Sequence, residues 1–242
     1  MTPGRLRGHV LARTAATLAL VAGLLAACGE APPPPPDHAA RLVEWLHAEI
    51  IDPHPRPAVT ADGVTRGLLG PYAAHADLFA RFDRDLRQTL ARADAHLAAL
   101  ESLSTPEGML HRGDTLAAML VEMRNLRDEF RSRLEGYRAE AATLDVPEAA
   151  ARSFETAYAR ALEEPATLAT MALVVSVEAL AQLDALSRFL RQNEALLANA
   201  DPSEIADLQL RAQIEDRFRE VDAFGKRVGD LQATLRKLAQ GG

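Results

Sequence analysis

Beyond residue 40 the apolar positions fall three and four apart, the period of an α-helix with one buried face. Leu42, Trp45, Leu46 and Ile50 make one side of a short helix, which Pro53, Pro55 and Pro57 end. The segment through Gly63, Gly67, Gly70 and Pro71 is rich in turn formers and reads as an ordered loop or short turns. A long helix follows from about Ala74 to Leu103, in which Phe79, Phe82, Leu86, Leu90, Ala93, Leu97 and Leu100 are spaced 3, 4, 4, 3, 4 and 3. That spacing makes a seam for a neighbouring helix.

Ser104-Thr105-Pro106-Glu107 matches a capping box, so a new helix is expected there. Gly108 and Gly113 weaken its first turns, which makes Asp114 an alternative cap. Met119, Met123, Phe130, Leu134, Tyr137, Ala141 and Leu144 carry the helical period on to about Thr143. Asp145-Val146-Pro147-Glu148 repeats the start signal and opens a shorter helix through Phe154, Tyr158 and Leu162 that stops before Pro165.

The stretch Ala166 to Val177 is the most apolar of the folded part and continues through Leu180, Leu183, Leu186 and Leu190. Twelve residues cannot cross a bilayer, and Glu178 and Asp184 interrupt the run. A helix apolar nearly all round is expected at the buried centre of a bundle. After a weaker stretch, Asn193 to Ala200, the run Asp201-Pro202-Ser203-Glu204 starts a last helix. It carries Ile205, Leu208, Ile214, Phe218, Val221, Val228, Leu231, Leu235 and Leu238, and Gly241-Gly242 ends it. Alternating β-branched runs are absent from the sequence. The expected fold is therefore all-α: an antiparallel bundle of about four long helices plus a shorter N-terminal helix, after a cleaved signal peptide.

The leader changes the picture of where such a bundle works. Arg5, Arg7 and Arg13 precede the run Ala15 to Leu25, eleven residues where a spanning helix needs about 20, so the segment is an export signal rather than a span. Leu25-Ala26-Ala27-Cys28 resembles the lipobox of bacterial lipoproteins, which implies cleavage before Cys28 and lipid attachment to it. Ordinary secretion, with cleavage that discards the cysteine, is the alternative. Two or more acyl chains, as the resemblance implies, make a stable membrane anchor where one holds only reversibly. Gly29 stands where an aspartate would retain such a protein in the inner membrane, so the likeness implies the periplasmic face of the outer membrane.

Pro32 to Pro36 favour polyproline II and form a semi-rigid spacer of about 15 Å; the other use of such a run is as a ligand for a small recognition domain. The expected organisation is a signal peptide over 1–27, a lipidated cysteine and Pro-rich tether over 28–40, and a helical domain over 41–242. Three of the 27 basic residues lie in the leader, leaving 24 against 34 acidic ones, a formal charge of −10. That balance argues against a nucleic-acid partner. With Cys28 the one cysteine, stability rests on packing and not on an internal disulfide.

Trp45-Leu46, Arg56-Pro57-x-Val59-Thr60, Leu69-Gly70-Pro71-Tyr72, Thr105-Pro106 and Glu164-Pro165-Ala166, in this order, resemble the YiaF-like family of small bacterial lipoproteins. The likeness covers roughly residues 41 to 192, and the last fifty residues depart from it. It implies a lipid-anchored envelope protein of unknown specific role and supplies no active-site residues.

Candidate chemistry is sparse. Glu44-Trp45-Leu46-His47 is the Glu-x-x-His unit of di-iron bundles, which need it twice with two further glutamates; the second copy is absent, and a surface histidine beside an ordinary glutamate is the simpler reading. His54, His75, His96 and His111 form no metal-binding helical pair, and a meeting of His75 with Asp77 reads as a solvated turn. Asp83 with Asp85, and Glu163 with Glu164, read as solvated surface and a helix end rather than an acid–base pair. Arg124, Arg127, Arg131, Arg133 and Arg138 are balanced by Glu122, Asp128, Glu129, Glu135 and Glu140, giving a solvated face.

Hydrolase, nucleotide-binding and haem-attachment motifs do not occur in the sequence. No cofactor, metal site or catalytic residue is therefore assigned. The expected role is non-enzymatic, with the membrane engaged through lipid on Cys28 and an envelope protein as partner. The alternative is a binding module for a small apolar or lipid-like ligand held in the bundle core, with Ala166 to Val177 as its walls.

Overall fold

The computed structural model describes residues 37–55, 57–100, 103, 106–194 and 208–239. Contacts divide the chain after Asp37, and the compact unit begins at His38. Its described residues form helices and the turns between them, so the fold is an all-α bundle.

The first helix, α1, runs His38–Leu46 and is prolonged by a π-helical turn, His47–Ile51. Of the four residues of the sequence pattern, Leu42, Leu46 and Ile50 are buried and Trp45 is half-buried. The glycine-rich segment contains a helix, α2 (Gly63–Leu69), followed by a 3₁₀ turn over Gly70–Tyr72. Asp62 caps α2 by accepting the Thr65 amide at 2.7 Å. The glycines that suggested a loop lie inside or just after this helix.

Four long helices form the bundle: α3 (Ala73–Ala99), α5 (Gly113–Ala141), α7 (Glu164–Gln192) and α8 (Leu208–Ala239). Between α3 and α5 lies a short helix, α4 (Pro106–His111), and before α7 another, α6 (Ala151–Tyr158). All seven expected seam positions of α3, Phe79 through Leu100, are buried. Arg81 with Glu140, Arg92 with Glu129 and His96 with Glu122 pair in descending order, which makes α3 and α5 antiparallel. Arg138 with Glu163 and Asp114 with Arg191 do the same for α5 and α7.

Two apolar clusters share α3. Phe82 and the positions after it join α5 and α7 in the bundle core. Phe79, one turn earlier, belongs to a second cluster with Leu42, Leu46, Ile50, Val59, Leu69 and the alanines Ala150, Ala157 and Ala161 in and beside α6. Trp45 and Phe154 lie against Phe79 with ring centroids 6.4 and 5.8 Å away. The N-terminal helices thus close one end of the bundle, each fully buried large side chain contributing about 1.5–3 kcal/mol.

Several expectations change. Asp114 does not cap α5; its carboxylate takes Arg191 Nη1 at 2.9 Å, and the N-cap position is Arg112, which makes no side-chain cap bond. Glu148–Ala150 form a 3₁₀ turn ahead of α6, also without a side-chain cap. Pro165 does not stop the helix before it: a π-helical turn, Ala159–Glu163, carries α6 straight into α7. Proline lacks the amide an α-helical turn requires, and the wider turn absorbs that loss, so Pro165 sits buried in the first turn of α7.

Helix α7 buries one broad face but leaves Leu168, Met171 and Val174 exposed, so it is not enclosed on all sides. In α8 the inward residues at the start are Leu210 and Ile214, while Leu208 is exposed. The Ser104-Thr105 half of the capping box and the Asp201-Pro202-Ser203-Glu204 signal lie outside the described residues. So do Cys28 and the whole leader and proline tether.

Candidate functional site

Where the N-terminal cluster meets the bundle, the segment 58–61, bonded to α3 through Val59, borders a cleft of about 820 Å³. Small residues, among them Ala58, Ala61, Ala74 and Ala80, line part of it. Its sides are charged. Asp83 is almost fully buried, and its Oδ2 accepts both the Val59 amide at 3.3 Å and Arg87 Nε at 2.8 Å, which fixes the segment to the helix. Arg66 of α2 reaches Asp77 of α3 at 2.8–2.9 Å. Arg81 donates Nε to the Asp77 carbonyl at 3.2 Å and pairs through Nη2 with Glu140 of α5.

Each of these arginines thus has a carboxylate partner. Arg84, which is 70% exposed, stands 3.7 Å from Asp85 and projects from the rim. Asp85 is held inward by the Tyr137 hydroxyl at 2.7 Å. Burial, then the hydrogen bond to Asp85, pushes the Tyr137 phenol up to about 12, so it stays protonated. Guanidinium groups, carboxylates and backbone amides therefore line the cleft together, a set of groups able to form charge-assisted hydrogen bonds.

The sequence candidates scatter. Glu44 pairs with Arg41, whereas His47 faces Asp52 at 3.3 Å and Ser153 at 3.4 Å, so the Glu-x-x-His unit does not converge. His75 is buried between Tyr72 and Phe154, edge-on to both rings, with Nδ1 3.1 Å from the Tyr72 carbonyl. Burial holds its pKa below the usual histidine value. It does not meet Asp77, which faces Arg66. His96 pairs with Glu122, and His54 and His111 are exposed.

Asp83 is not solvated surface as expected, and Asp85 turns to a different partner. Glu163 accepts two bonds from Arg138, at 2.9 and 2.6 Å, and one from Tyr158 at 3.0 Å. The Arg138 bonds hold its carboxyl below the ordinary range. Arg127 and Arg131 pair with Asp128, and Arg133 with Glu129, as a solvated face would. Among the described residues no group of three His, Cys, Asp or Glu side chains is placed to hold a metal ion.

The cleft residues escaped sequence reading because Arg66, Arg81 and Val59 find their partners on other elements. The long helices share a core of buried apolar side chains, and none of the cleft-lining residues belongs to it. A family model described as "Protein of unknown function (DUF3053)" matches residues 16–216. The chain belongs to the DUF3053 family. No curated protein matches the chain, and no solved structure does. The DUF3053 match contains every cleft residue and ends in the third turn of α8.

Proposed function

We propose that this DUF3053 protein is a lipid-anchored envelope protein that binds a protein partner and carries out no chemistry of its own. The observation that carries the proposal is the placement of Leu25-Ala26-Ala27-Cys28 and Pro32–Pro36 immediately before a compact unit that opens at His38. An anchor, a spacer and an independent helical domain follow one another without overlap. The likeness to the YiaF-like lipoproteins points the same way, and Gly29 favours the periplasmic face of the outer membrane.

The charged cleft at the bundle end is the surface we assign to the partner. Its side chains are pre-paired, so a partner's carboxylates and carbonyls exchange with internal ones rather than meeting bare charge. The mature chain extracted from its own membranes is expected to have the mass of residues 28–242 plus acyl chains, and Cys28→Ala to leave the membrane fraction. A mature chain without the added mass would overturn the anchor. A photo-reactive residue at position 84 is expected to give one discrete crosslinked product in cells, and the absence of any product would overturn the cleft assignment.

A further inference from the structure

Helix α2 leaves its outward face bare. Val64 is 73% exposed and Leu68, one turn on, 47%. Gly67 and Pro71 lie exposed beside them, and open space surrounds the position where a Gly67 side chain would stand. The opposite face is anchored, with Leu69 buried in the N-terminal cluster. An outward apolar face on a helix this firmly held is a surface awaiting an apposed one.

The point where the tether enters lies beside it. Nδ1 of His38, the first helical residue of the domain, is 3.0 Å from the Leu68 carbonyl. Nine residues, 29–37, separate His38 from Cys28. From Cys28 to His38 is ten residue steps, about 33–36 Å fully extended, so a lipid on Cys28 keeps His38, and the end of α2 it touches, within about that distance of the bilayer.

We propose that the Val64–Leu68 face of α2 rests on the phospholipid surface, orienting the domain on its anchor with the opposite end of the bundle turned away. This rests on the lipid-anchor reading. Two apolar side chains bind a membrane weakly by themselves, but on an anchored chain their contact is intramolecular, so a weak contact suffices.

Because Cys28 is the single cysteine and is consumed by acylation, Val64→Cys or Leu68→Cys supplies the one free thiol for an environment-sensitive fluorophore. Val121→Cys is the control: Val121 is 54% exposed on α5, beside Glu122, which pairs with His96. Position 96 lies about 22 Å along α3 from Arg81 at the cleft end. The full-length acylated chain is reconstituted in vesicles of phosphatidylethanolamine and phosphatidylglycerol, and its intact mass is measured first. Labels at 64 and 68 are expected to shift to the blue and be quenched several-fold by brominated lipid, while the label at 121 stays water-like.

An acylated chain with water-like emission at all three positions overturns the membrane face and leaves the anchor standing. A chain without acyl mass overturns both. Blue emission at 64 already present in detergent, rising with protein concentration, assigns the face to a second copy and overturns the lipid surface as its occupant.

Discussion

Tyr137 donates its hydroxyl to Asp85 Oδ2 at 2.7 Å, joining α5 to α3 across 52 residues of sequence. The ring of Tyr137 also stands edge-on to Phe82, centroids 5.5 Å apart, so one side chain closes the bundle core and its polar margin together.

Tyr137 is expected to ionise near pH 12, and Tyr137→Phe to abolish that step in an absorbance titration. Because the folded pKa is raised, the contribution is whole below about pH 10 and is lost as pH rises towards the folded value. At neutral pH the same variant keeps the contact with Phe82 and loses the hydrogen bond, lowering stability by about 0.5–1.5 kcal/mol in urea unfolding.

His75 titrates in the opposite sense. With Nδ1 donating to the Tyr72 carbonyl, Nε2 is the atom that must take a proton, and it is buried with no hydrogen-bond partner among the described residues. Its folded pKa is depressed, so the stability it contributes is present above about pH 6.5 and is lost as pH falls through the folded value. The urea midpoint of the native chain should fall over that interval, and His75→Phe should flatten the fall.

Asp83→Asn replaces a buried carboxylate that accepts both the Val59 amide and Arg87. A loss of about 1.5–3 kcal/mol is expected for bonds to a charged group. Hydrogen exchange localises it: the Val59 amide and its neighbours exchange faster, while the α5–α7 contact is unchanged.

Gly67 and Gly70 should respond with opposite signs. Gly70 holds φ at 54°, and a Cβ there would lie 2.7 Å from the His38 ring, displacing it from Leu68. Gly70→Ala is expected to cost about 1–3 kcal/mol. Gly67 is helical with open space around it, so Gly67→Ala should stabilise by about 0.4–1 kcal/mol, chiefly by restricting the unfolded chain. Thermal melts of the two variants decide both.

The helical period carried most of the fold, since burial in a bundle follows the spacing of large apolar residues along each helix. Phe79 to Leu100 illustrate this: each expected inward position is inward. Spacing says nothing about which helix covers which face, and so the exposed row Leu168, Met171 and Val174 was not legible. Nor was Asp83, whose inward turn depends on an amide 24 residues away. The helix at Gly63–Leu69 was hidden because glycine marks turns more often than helices, although Asp62 supplied a cap. The π-helical turn before Pro165 was hidden for a similar reason, as sequence offers proline's usual consequence and structure its accommodation. The cleft is a product of the 58–61 segment, α2, α3 and α5 together and has no local signature.

Gly113 sets a limit on how the long helices can slide. A Cβ at this position would come within 2.5 Å of Ser187 Oγ, which itself donates at 2.6 Å to the Met109 carbonyl. Leucine seams with a repeating period admit several axial offsets that bury equal area, one turn apart. Only the offset that brings Gly113 opposite Ser187 lets the two backbones close up at the break between α4 and α5; shifting α5 by a turn puts Leu116 or Ala117 there instead. The contact acts as a detent, giving an otherwise slippery pair of rods a single resting position along their length.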